Sequence, residues 1–360
     1  MDERAYWIAF NSVAGIGPAR LNALMELCGS IESAWNAPVK HLEAAGLDRR
    51  TINNLVAVRR RLDPQNELEK VSRSGVDVLT QEDGSYPANL LGLPNSPPLL
   101  YSRGQLEQQD RLAVAVVGTR RVSPYGREVA RRIGSELAIN GVTVVSGLAL
   151  GVDAIAHAAA LESGGRTVAV LGSGVDQIYP AQNRRLALQI IENGALVSEY
   201  PLGTKPEARN FPPRNRIISG MSLAVVVVEA AARSGALITA AFAAEQGRDV
   251  YAVPGSILSP GSDGCNRLIQ DGAIPVTSPG DLLEHLQLET AAARQEARVS
   301  MPATPQEELI LRHVTAEPRH MNEIVRAATL DTSQVSSLLA TMEIKGLVRH
   351  VGLMQYVRAV

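Results

Sequence analysis

The sequence predicts an α/β protein with an extended Rossmann-like, mostly parallel sheet. Two observations support this fold class. Short apolar runs rich in Val and Ala recur along residues 65–288, and helical patterns of roughly 10–15 residues separate most of them. Parallel strands are buried on both faces and therefore read as continuous apolar runs. Strand–helix–strand connections of this kind are right-handed crossovers, so the strands are expected to lie mostly parallel.

Nine apolar runs are predicted strands, which is more than a minimal six-stranded mononucleotide-binding fold needs. They are Val76–Leu79, Leu99–Tyr101, Ala113–Val117, Val142–Val145, Thr167–Leu171, Ala195–Ser198, Leu223–Val228, Val250–Val253 and Ile274–Val276. The helical patterns between them include Arg127–Ile139, Asp153–Glu162, Arg184–Glu192 and Leu237–Gln246. We therefore expect one extended domain over residues 65–288.

Residues 1–64 are predicted to form a separate all-α domain. Val13–Leu21 places a Gly-x-Gly ahead of Pro18, and proline suits the first turn of a helix because its missing N–H is not needed there. Ala44–Leu55 repeats this pattern loosely. The two segments resemble a helix-hairpin-helix or SAM-like module, whose glycine turns can hold DNA phosphates. A plain helical hairpin with glycine in its tight turn is the alternative.

The end of the chain predicts a linker and a small third domain. Residues 289–305 are polar and have no apolar period, as in a linker. Residues 306–360 are similar to a winged helix, because a hairpin with its bend at Gly352 follows three predicted helices: Glu307–Val314, Met321–Ala328 and Thr332–Lys345. The third helix has one basic residue, Lys345, where a helix that reads duplex DNA is expected to have more Arg and Asn. For residues 306–360 we therefore favour a role in protein interaction or in weak DNA binding.

The composition of the sequence limits which partners and which cellular compartment we expect for the protein. The formal net charge is −2, so any attraction for phosphate depends on where the arginines lie. Only four of the 35 basic residues are lysines; arginine suits phosphates and base edges, but a GC-rich genome gives the same bias. Cys28 and Cys265 are far apart and predict neither a disulfide nor a zinc site. With no signal-peptide pattern or run of transmembrane length, we expect a soluble, cytoplasmic protein without a membrane partner.

Familiar nucleotide-binding motifs are missing from the sequence. It has no G-x-x-x-x-G-K-[ST] loop, and VVGTRR after the third strand is not G-x-G-x-x-G, so we predict neither P-loop ATP hydrolysis nor dinucleotide binding, and no cofactor. The strand ends instead enter turns rich in backbone N–H donors. Such turns face one crevice and suit several separate phosphates. The turn residues are Gly118 and Thr119, Ser146 and Gly147, and Gly172, Ser173 and Gly174.

Arginines beside an aromatic residue indicate that the polyanion also has bases. Arg120 directly follows the first of these turns, and Phe211, Arg214, Asn215 and Arg216 begin a predicted helix. Arg214 and Arg216 point in different directions there, so one can bind DNA while the other pairs within the protein. Asn215 can bond a base edge or a backbone group. A ring near phosphate donors can stack a base, although core packing is the alternative for Phe211. The implied ligand is a nucleic acid strand.

No catalytic constellation is evident in the sequence. Asp153 and His157 are spaced i, i+4, but no nucleophile or third metal ligand accompanies them. We expect Asp153 to cap its helix and His157 to make a buried hydrogen bond. Glu229 follows a predicted strand and is expected either to hold ribose or water or to fix the following turn. We therefore expect no enzymatic activity and no metal site.

Six segments of the sequence carry the motifs that identify a family: VVGTR (116–120), SGLALGVDAIAHAAAL (146–161), TVAVLGSGVDQIYPAQNRRL (167–186), SEYPLGTKPEARNFPPRNRIISGMS (198–222), VVEAAARSGALITAAFAAEQGRDVYAVPGS (227–256) and GCNRLIQDGA (264–273). They closely resemble the DNA-processing protein A family, also called DprA or Smf. From the first to the last, they span roughly half of the chain in the family's order. The N-terminal helical region and the C-terminal winged helix also resemble accessory domains of the family.

The resemblance implies a homodimeric, non-enzymatic protein that binds single-stranded DNA in a basic pocket of the Rossmann-like domain. It also implies loading of RecA recombinase, chiefly in natural transformation, with DNA repair as another setting and single-strand-binding protein as a further candidate partner. Position 208, where a basic residue is expected, is alanine, and Arg209 is the candidate substitute. Carried over to this sequence, the pocket contains Arg120, Ser146, Gly147, Gly172, Ser173, Gly174, Asn183, Arg184, Phe211 and Arg214.

Two other functions are compatible with the sequence. Nucleoside-monophosphate phosphoribohydrolases share a related sheet, but the nearest match to their G-G-x-G-T-x-x-E loop, Ser234–Ala240, has no glutamate at that spacing. Base release from nucleoside monophosphates would identify such a hydrolase. A scaffold for RecA is the other alternative, and it predicts binding of RecA without affinity for DNA.

Overall fold

The computed structural model describes residues 2–93, 95–285, 305–315, 318–328, 330–344, 347–352 and 354–358. The chain divides into two compact units, residues 1–286 and 287–360. The predicted linker, residues 289–305, lies outside the described residues except for Pro305. Within the described ranges, no helix is long and apolar enough to cross a membrane.

Six helices begin the first unit: α1 (Arg4–Asn11), α2 (Pro18–Cys28), α3 (Ile31–Asn36), α4 (Val39–Ala44), α5 (Arg49–Arg61) and α6 (Pro64–Arg73). Local chemistry sets several of their ends. Pro18 occupies the first turn of α2, and Gly29, with φ of 81°, ends that helix in the left-handed conformation. Asp48 and Asp63 cap α5 and α6, because each side chain accepts a hydrogen bond from a backbone N–H in the first turn.

The central sheet has nine strands: β1 (Asp77–Thr80), β2 (Leu99–Gly104), β3 (Ala113–Val117), β4 (Thr143–Ser146), β5 (Thr167–Val170), β6 (Gly194–Ser198), β7 (Ala224–Val227), β8 (Asp249–Ala252) and β9 (Ile274–Pro275). Their order is β1-β2-β6-β5-β4-β3-β7-β8-β9. The strands from β6 to β9 in this order pair in parallel, whereas β1 and β2 are antiparallel. All predicted strands are present, and only β2 differs by more than one residue at an end. The predicted α/β class with a mostly parallel sheet is confirmed.

Seven helices accompany these strands: α7 (Pro124–Ile139), α8 (Val152–Glu162), α9 (Arg184–Glu192), α10 (Phe211–Gly220), α11 (Ala236–Glu245), α12 (Asp263–Gln270) and α13 (Pro279–His285). Ser123 caps α7, and Pro124 occupies its first turn. α7 and α8 pack closely at Gly134, where a Cβ would lie 2.8 Å from the carbonyl oxygen of Ala156. The two helices therefore need glycine at that position.

The N-terminal helices share a hydrophobic core with the sheet. Phe10 and Trp35 meet edge-to-face with ring centroids 5.2 Å apart, and Val71 of α6 belongs to the same core. This core continues into Leu171 and Leu196 at β5 and β6. The helical layer runs on to the end of α6, beyond the boundary expected at residue 64, because α6 packs along α1.

The strand order reverses between β3 and β7. From β3 the sheet extends through β4, β5 and β6 on one side, and then continues with β7, β8 and β9 on the other. In open α/β sheets, ligands bind outside the carboxyl ends of the strands at such a reversal. The turns after β3 and β7 therefore mark the expected site.

The second unit has the architecture of a winged helix. Its helices are α14 (Pro305–Leu311), α15 (Met321–Ala328) and α16 (Thr332–Ile344), and its strands are β10 (Arg319–His320), β11 (Val348–His350) and β12 (Gln355–Arg358). The strands form an antiparallel sheet in the order β10-β12-β11. Ile310, Ile324, Leu339 and Val348 fill the core, and Gly352 makes the predicted bend with φ of 96°. Lys345 lies outside the described residues.

Candidate nucleic-acid interface

A crevice of about 730 Å³ lies at the carboxyl ends of β3 and β7. One wall comes from the turn after β3, residues 117–121, and another from the start of α10, residues 211–215. The third wall comes from the turn after β7 and the start of α11, within residues 231–239. The crevice therefore occupies the reversal point of the sheet, where the topology predicts a ligand.

The structure brings Arg120, Phe211 and Arg214 together at this crevice. The Cζ atoms of Arg120 and Arg214 lie 5.7 Å and 5.9 Å from the centroid of the Phe211 ring. Gly172, just after β5, makes room for the ring, because a Cβ there would lie 2.8 Å from a ring carbon. Phe211 is only partly buried, so the ring combines an apolar surface with two neighbouring cations.

Arg214 is a buried cation rather than an exposed ligand. Its residue exposure is 4%, and its Nη1 donates a hydrogen bond to the carbonyl oxygen of Val170 at the end of β5. Burial lowers the pKa of Arg214 to about 10, and Asp153 opposes this shift, so the guanidinium remains charged at neutral pH. Arg214 therefore supplies positive potential beneath the crevice, and its hydrogen bond ties α10 to β5.

Arg216 lies apart from the crevice, whereas Asn215 lines it. The Arg216 guanidinium pairs with Glu199 at 2.5 Å, and both side chains are largely buried. The Nδ2 of Asn215 donates a hydrogen bond to the carbonyl oxygen of Gly235 at 3.3 Å. Asn215 thus joins the wall formed by α10 to the turn after β7. The expected contact of Arg216 with DNA does not match this placement, because Glu199 already neutralises its charge.

The glycine turns use several of their own N–H donors internally. The N–H of Gly147 donates to the Asp153 carboxylate at 3.1 Å, and the N–H of Gly174 donates to a backbone carbonyl oxygen at 3.0 Å. The N–H of Thr119 likewise donates to the carbonyl oxygen of Glu229 at 2.7 Å. These donors were expected to bind phosphate, but close packing at the strand ends occupies them. Of the predicted turns, Gly118 and Thr119 line the crevice.

The hydroxyl groups of these turns are also occupied within the protein. Ser146 donates to the Val116 carbonyl oxygen at 2.6 Å, and Ser173 donates to the Gln177 carbonyl oxygen at 2.7 Å. Both serines are buried. They therefore hold the strand ends in place, and the structure gives them no free hydroxyl for a phosphate.

The remaining predicted residues lie outside the lining of the crevice. Asn183 is buried, and its Nδ2 donates to the Leu148 carbonyl oxygen at 2.8 Å, which fixes the loop after β4. Arg184 is exposed at the start of α9. Arg209 is exposed and pairs with Glu207 at 2.8 Å. Their contact with a ligand stays a prediction.

Sequence reasoning missed two arginines, Arg121 and Arg233, that line the crevice. Both are exposed, and like Arg120 they have no carboxylate within ion-pair distance in the part of the chain that the structure describes. Their position in the sequence could have identified them, since each follows the carboxyl end of a strand at the reversal point. Asp153 is the one acidic residue of the described lining, and hydrogen bonds already occupy it.

The acidic and histidine residues near the crevice have structural roles. Asp153 accepts hydrogen bonds from the N–H groups of Gly147 and Ala149, so it holds the preceding loop rather than capping its own helix as predicted. His157 is fully buried and bonds the Thr167 hydroxyl at 2.6 Å, which confirms the predicted buried hydrogen bond.

Glu229 holds a different turn from the one that was expected. Its carboxylate accepts hydrogen bonds from the backbone N–H and the hydroxyl of Ser123 at 3.0 Å and 2.8 Å. Ser123 is the cap of α7, so Glu229 joins the end of β7 to the start of the helix that follows β3. The carboxylate therefore holds the start of α7 and not the turn after its own strand, and its expected contact with ribose or water stays a prediction.

Comparison with known proteins agrees with the fold. The family model described as "DNA recombination-mediator protein A" matches residues 77–287, which is more than half of the chain. The chain belongs to this family. The model of the DprA winged helix domain matches residues 282–352, in agreement with the architecture of the second unit.

Sequence similarity to relatives in the family extends along the whole chain. Protein Smf from Synechocystis sp. is 39% identical over 99% of this chain and 99% of its own length. DNA processing protein DprA from Streptococcus pneumoniae is 46% identical over 57% of this chain and 72% of that protein. The relationship to the DNA recombination-mediator protein A family therefore includes the N-terminal helices as well as the sheet.

Solved structures of the family have the same fold. The X-ray structure of DNA processing protein A from Streptococcus pneumoniae has a TM-score of 0.68 at 35% identity, and covers 79% of this chain and 97% of that one. A structure of DNA processing protein A from Helicobacter pylori has a TM-score of 0.53 at 31% identity, and covers 59% of this chain and 95% of that one. The latter is described as showing the single-stranded DNA binding mode of that protein.

Proposed function

We propose that this chain binds single-stranded DNA in the crevice between the ends of β3 and β7. The observation that carries the proposal is that Arg120, Arg121 and Arg233 line the same crevice as a partly exposed Phe211. Guanidinium groups without carboxylate partners attract phosphates, and an aromatic ring stacks a base. A site with both features suits a strand whose bases are unpaired.

The family relationship supports this choice of ligand. The Helicobacter pylori relative is described by its binding of single-stranded DNA, and it shares the fold of this chain. The overall net charge of −2 gives no general attraction for nucleic acid, so binding depends on the local cluster of arginines. Single strands are preferred over duplex because a base must leave the helix before it can stack on Phe211.

The proposed biochemical role is that of a recombination mediator. The chain binds single-stranded DNA, acts without chemical turnover, and transfers the strand to RecA recombinase in transformation or repair. A homodimer is the proposed active form. The carboxylates near the crevice support a non-enzymatic role, because Asp153 and Glu229 are both engaged in hydrogen bonds that hold the backbone.

The decisive experiment measures RecA filament formation on DNA that is already coated with single-strand-binding protein. The chain is added or omitted, and filament growth is followed by fluorescence of labelled DNA. We expect faster growth with the wild-type chain and little acceleration with Arg120→Ala. Arg132→Ala is the matched control, since it removes an exposed arginine that Glu128 already neutralises. Equal filament growth with and without the wild-type chain would refute the mediator role.

A further inference from the structure

Tyr179 is an exposed aromatic residue at the edge of the crevice. Its exposure is 45%, and its ring centroid lies 5.8 Å from that of Phe211, with the two planes inclined at 37°. It lines both the crevice and an adjoining recess, which Arg120 also lines. Aromatic side chains beside a positively charged groove are the platforms on which proteins stack the bases of a single strand, so the position of this exposed ring is informative.

The segment around Tyr179 is held rigidly by hydrogen bonds. Ser173 donates to the carbonyl oxygen of Gln177 at 2.7 Å, and the N–H of Gln177 donates to the carbonyl oxygen of Gly174 at 2.8 Å. On the other side, Pro180 is buried and the Asn183 side chain bonds the loop after β4. The Tyr179 ring is therefore presented by a fixed backbone, and a ligand need not order the loop first.

The geometry of the two rings excludes a base between them. Their centroid separation lies within the range of aromatic pairs in direct contact. Each ring nevertheless keeps exposed surface, and the inclination turns the two surfaces in different directions. Two neighbouring bases can stack on such a pair only if each base takes one ring.

We propose that Tyr179 is a second base-stacking residue, which binds the nucleotide next to the one that stacks on Phe211. This inference rests on the proposed binding of single-stranded DNA and adds a contact to it. Arg120 lies beside Phe211 and lines both cavities, so it is positioned to hold the phosphate that joins the two nucleotides. The two stacked bases are then inclined to each other, because the two rings on which they stack are inclined to each other.

The test compares Tyr179→Ala with wild type on two ligands of equal length at low salt: oligothymidine, and a strand of abasic residues that keeps the sugar-phosphate backbone. Stacking predicts a loss of about 5- to 150-fold in affinity for oligothymidine. On the abasic strand the variant and the wild type bind equally. Tyr179→Phe keeps the ring and binds oligothymidine as the wild type does, whereas Tyr179→Leu keeps bulk without a flat π-face and binds weakly.

Tyr125 provides a matched control. It is also an exposed tyrosine, at 54%, but it lies on α7, where its hydroxyl donates to the Pro254 carbonyl oxygen at 3.0 Å, and it does not line the crevice. Tyr125→Ala is expected to leave affinity for both ligands unchanged. An equal loss in Tyr125→Ala and Tyr179→Ala would overturn the assignment of a specific stacking site.

The possible failures are distinguishable. If the wild-type chain does not bind oligothymidine, the proposed function itself fails. If the wild type binds and Tyr179→Ala binds equally well, the function stands and the second stacking residue is refuted. If Tyr179→Ala loses the same factor on the abasic strand, the ring acts by positioning Arg120 or Phe211, and stacking by Tyr179 is refuted.

Discussion

The Arg214 guanidinium lies 5.9 Å from the centroid of the Phe211 ring and bonds the carbonyl oxygen of Val170 at the end of β5. One side chain thus connects the sheet to the aromatic residue of the crevice. The arrangement places a buried charge directly under a partly exposed ring. Substitutions of Arg214 and of Arg120 should therefore have different consequences, although both are arginines next to the same ring.

Replacing Arg214 is expected to destabilise the fold. Arg214→Gln removes the cation near buried Asp153 and weakens the hydrogen bond to Val170, and a buried polar group left unsatisfied costs about 1–3 kcal/mol. The free energy of unfolding, measured by urea denaturation, should fall by that amount. Arg120→Gln is the comparison, because its exposed side chain should change stability little. Similar urea midpoints for Arg214→Gln and wild type would contradict the structural role.

The fold could be predicted from the sequence more completely than the site. The buried parallel strands appear as uninterrupted apolar runs such as AVAVV at 113–117, so their number and positions were evident. The end of the helical layer was less clear. Asp63 and Pro64 mark the start of α6, but the sequence does not show which elements this helix contacts. Its packing on α1 shows that it belongs with the earlier helices.

The site was predicted in its location but not in the role of each residue. Arg214 and Arg216 are two residues apart, and the sequence does not show that one bonds Val170 while the other pairs with Glu199. Those partners come from distant strands or loops. Arg233 was missed because no motif marks it in the sequence. Only the strand order, in which β7 lies beside β3, brings the turn after β7 to the crevice that Arg120 also lines.

Salt dependence should report how many arginines contact phosphate. Three exposed guanidiniums, Arg120, Arg121 and Arg233, predict that log K falls with log salt concentration at a slope of about −2, since each contact on a single strand contributes about −0.7. Each single substitution to Ala should make the slope shallower by about 0.7. Fluorescence anisotropy with labelled oligothymidine measures this. Arg132→Ala should leave the slope unchanged, and a change there would show that binding follows total charge instead.

Acid should destabilise the domain through His157. Burial lowers the pKa of His157 to about 3 in the folded protein, against 6.5 when exposed. As pH falls, the unfolded chain therefore takes up a proton at a higher pH than the folded protein does. The contribution of neutral His157 to the free energy of unfolding is complete above pH 6.5 and is lost as pH falls from 6.5 toward 3. At pH 5 the loss is about 2 kcal/mol. Urea midpoints between pH 7.5 and 5 measure it, and His157→Gln should flatten the profile. An identical profile in that variant would assign the acid sensitivity to other groups.

A single methyl group added at position 172 should weaken DNA binding while leaving the stability of the fold nearly unchanged. A Cβ on Gly172 would lie 2.8 Å from a carbon of the Phe211 ring, so Gly172→Ala pushes the ring away from its place over the end of β5. Because the ring is a side chain at the rim of the crevice, stability should change little, whereas displacement of a stacked base costs about 5- to 150-fold in affinity for oligothymidine. Gly84→Ala is the control, since no atom lies within 4 Å of its added Cβ and Gly84 does not line the crevice. If Gly172→Ala binds as tightly as Gly84→Ala, the position of the Phe211 ring does not determine DNA affinity.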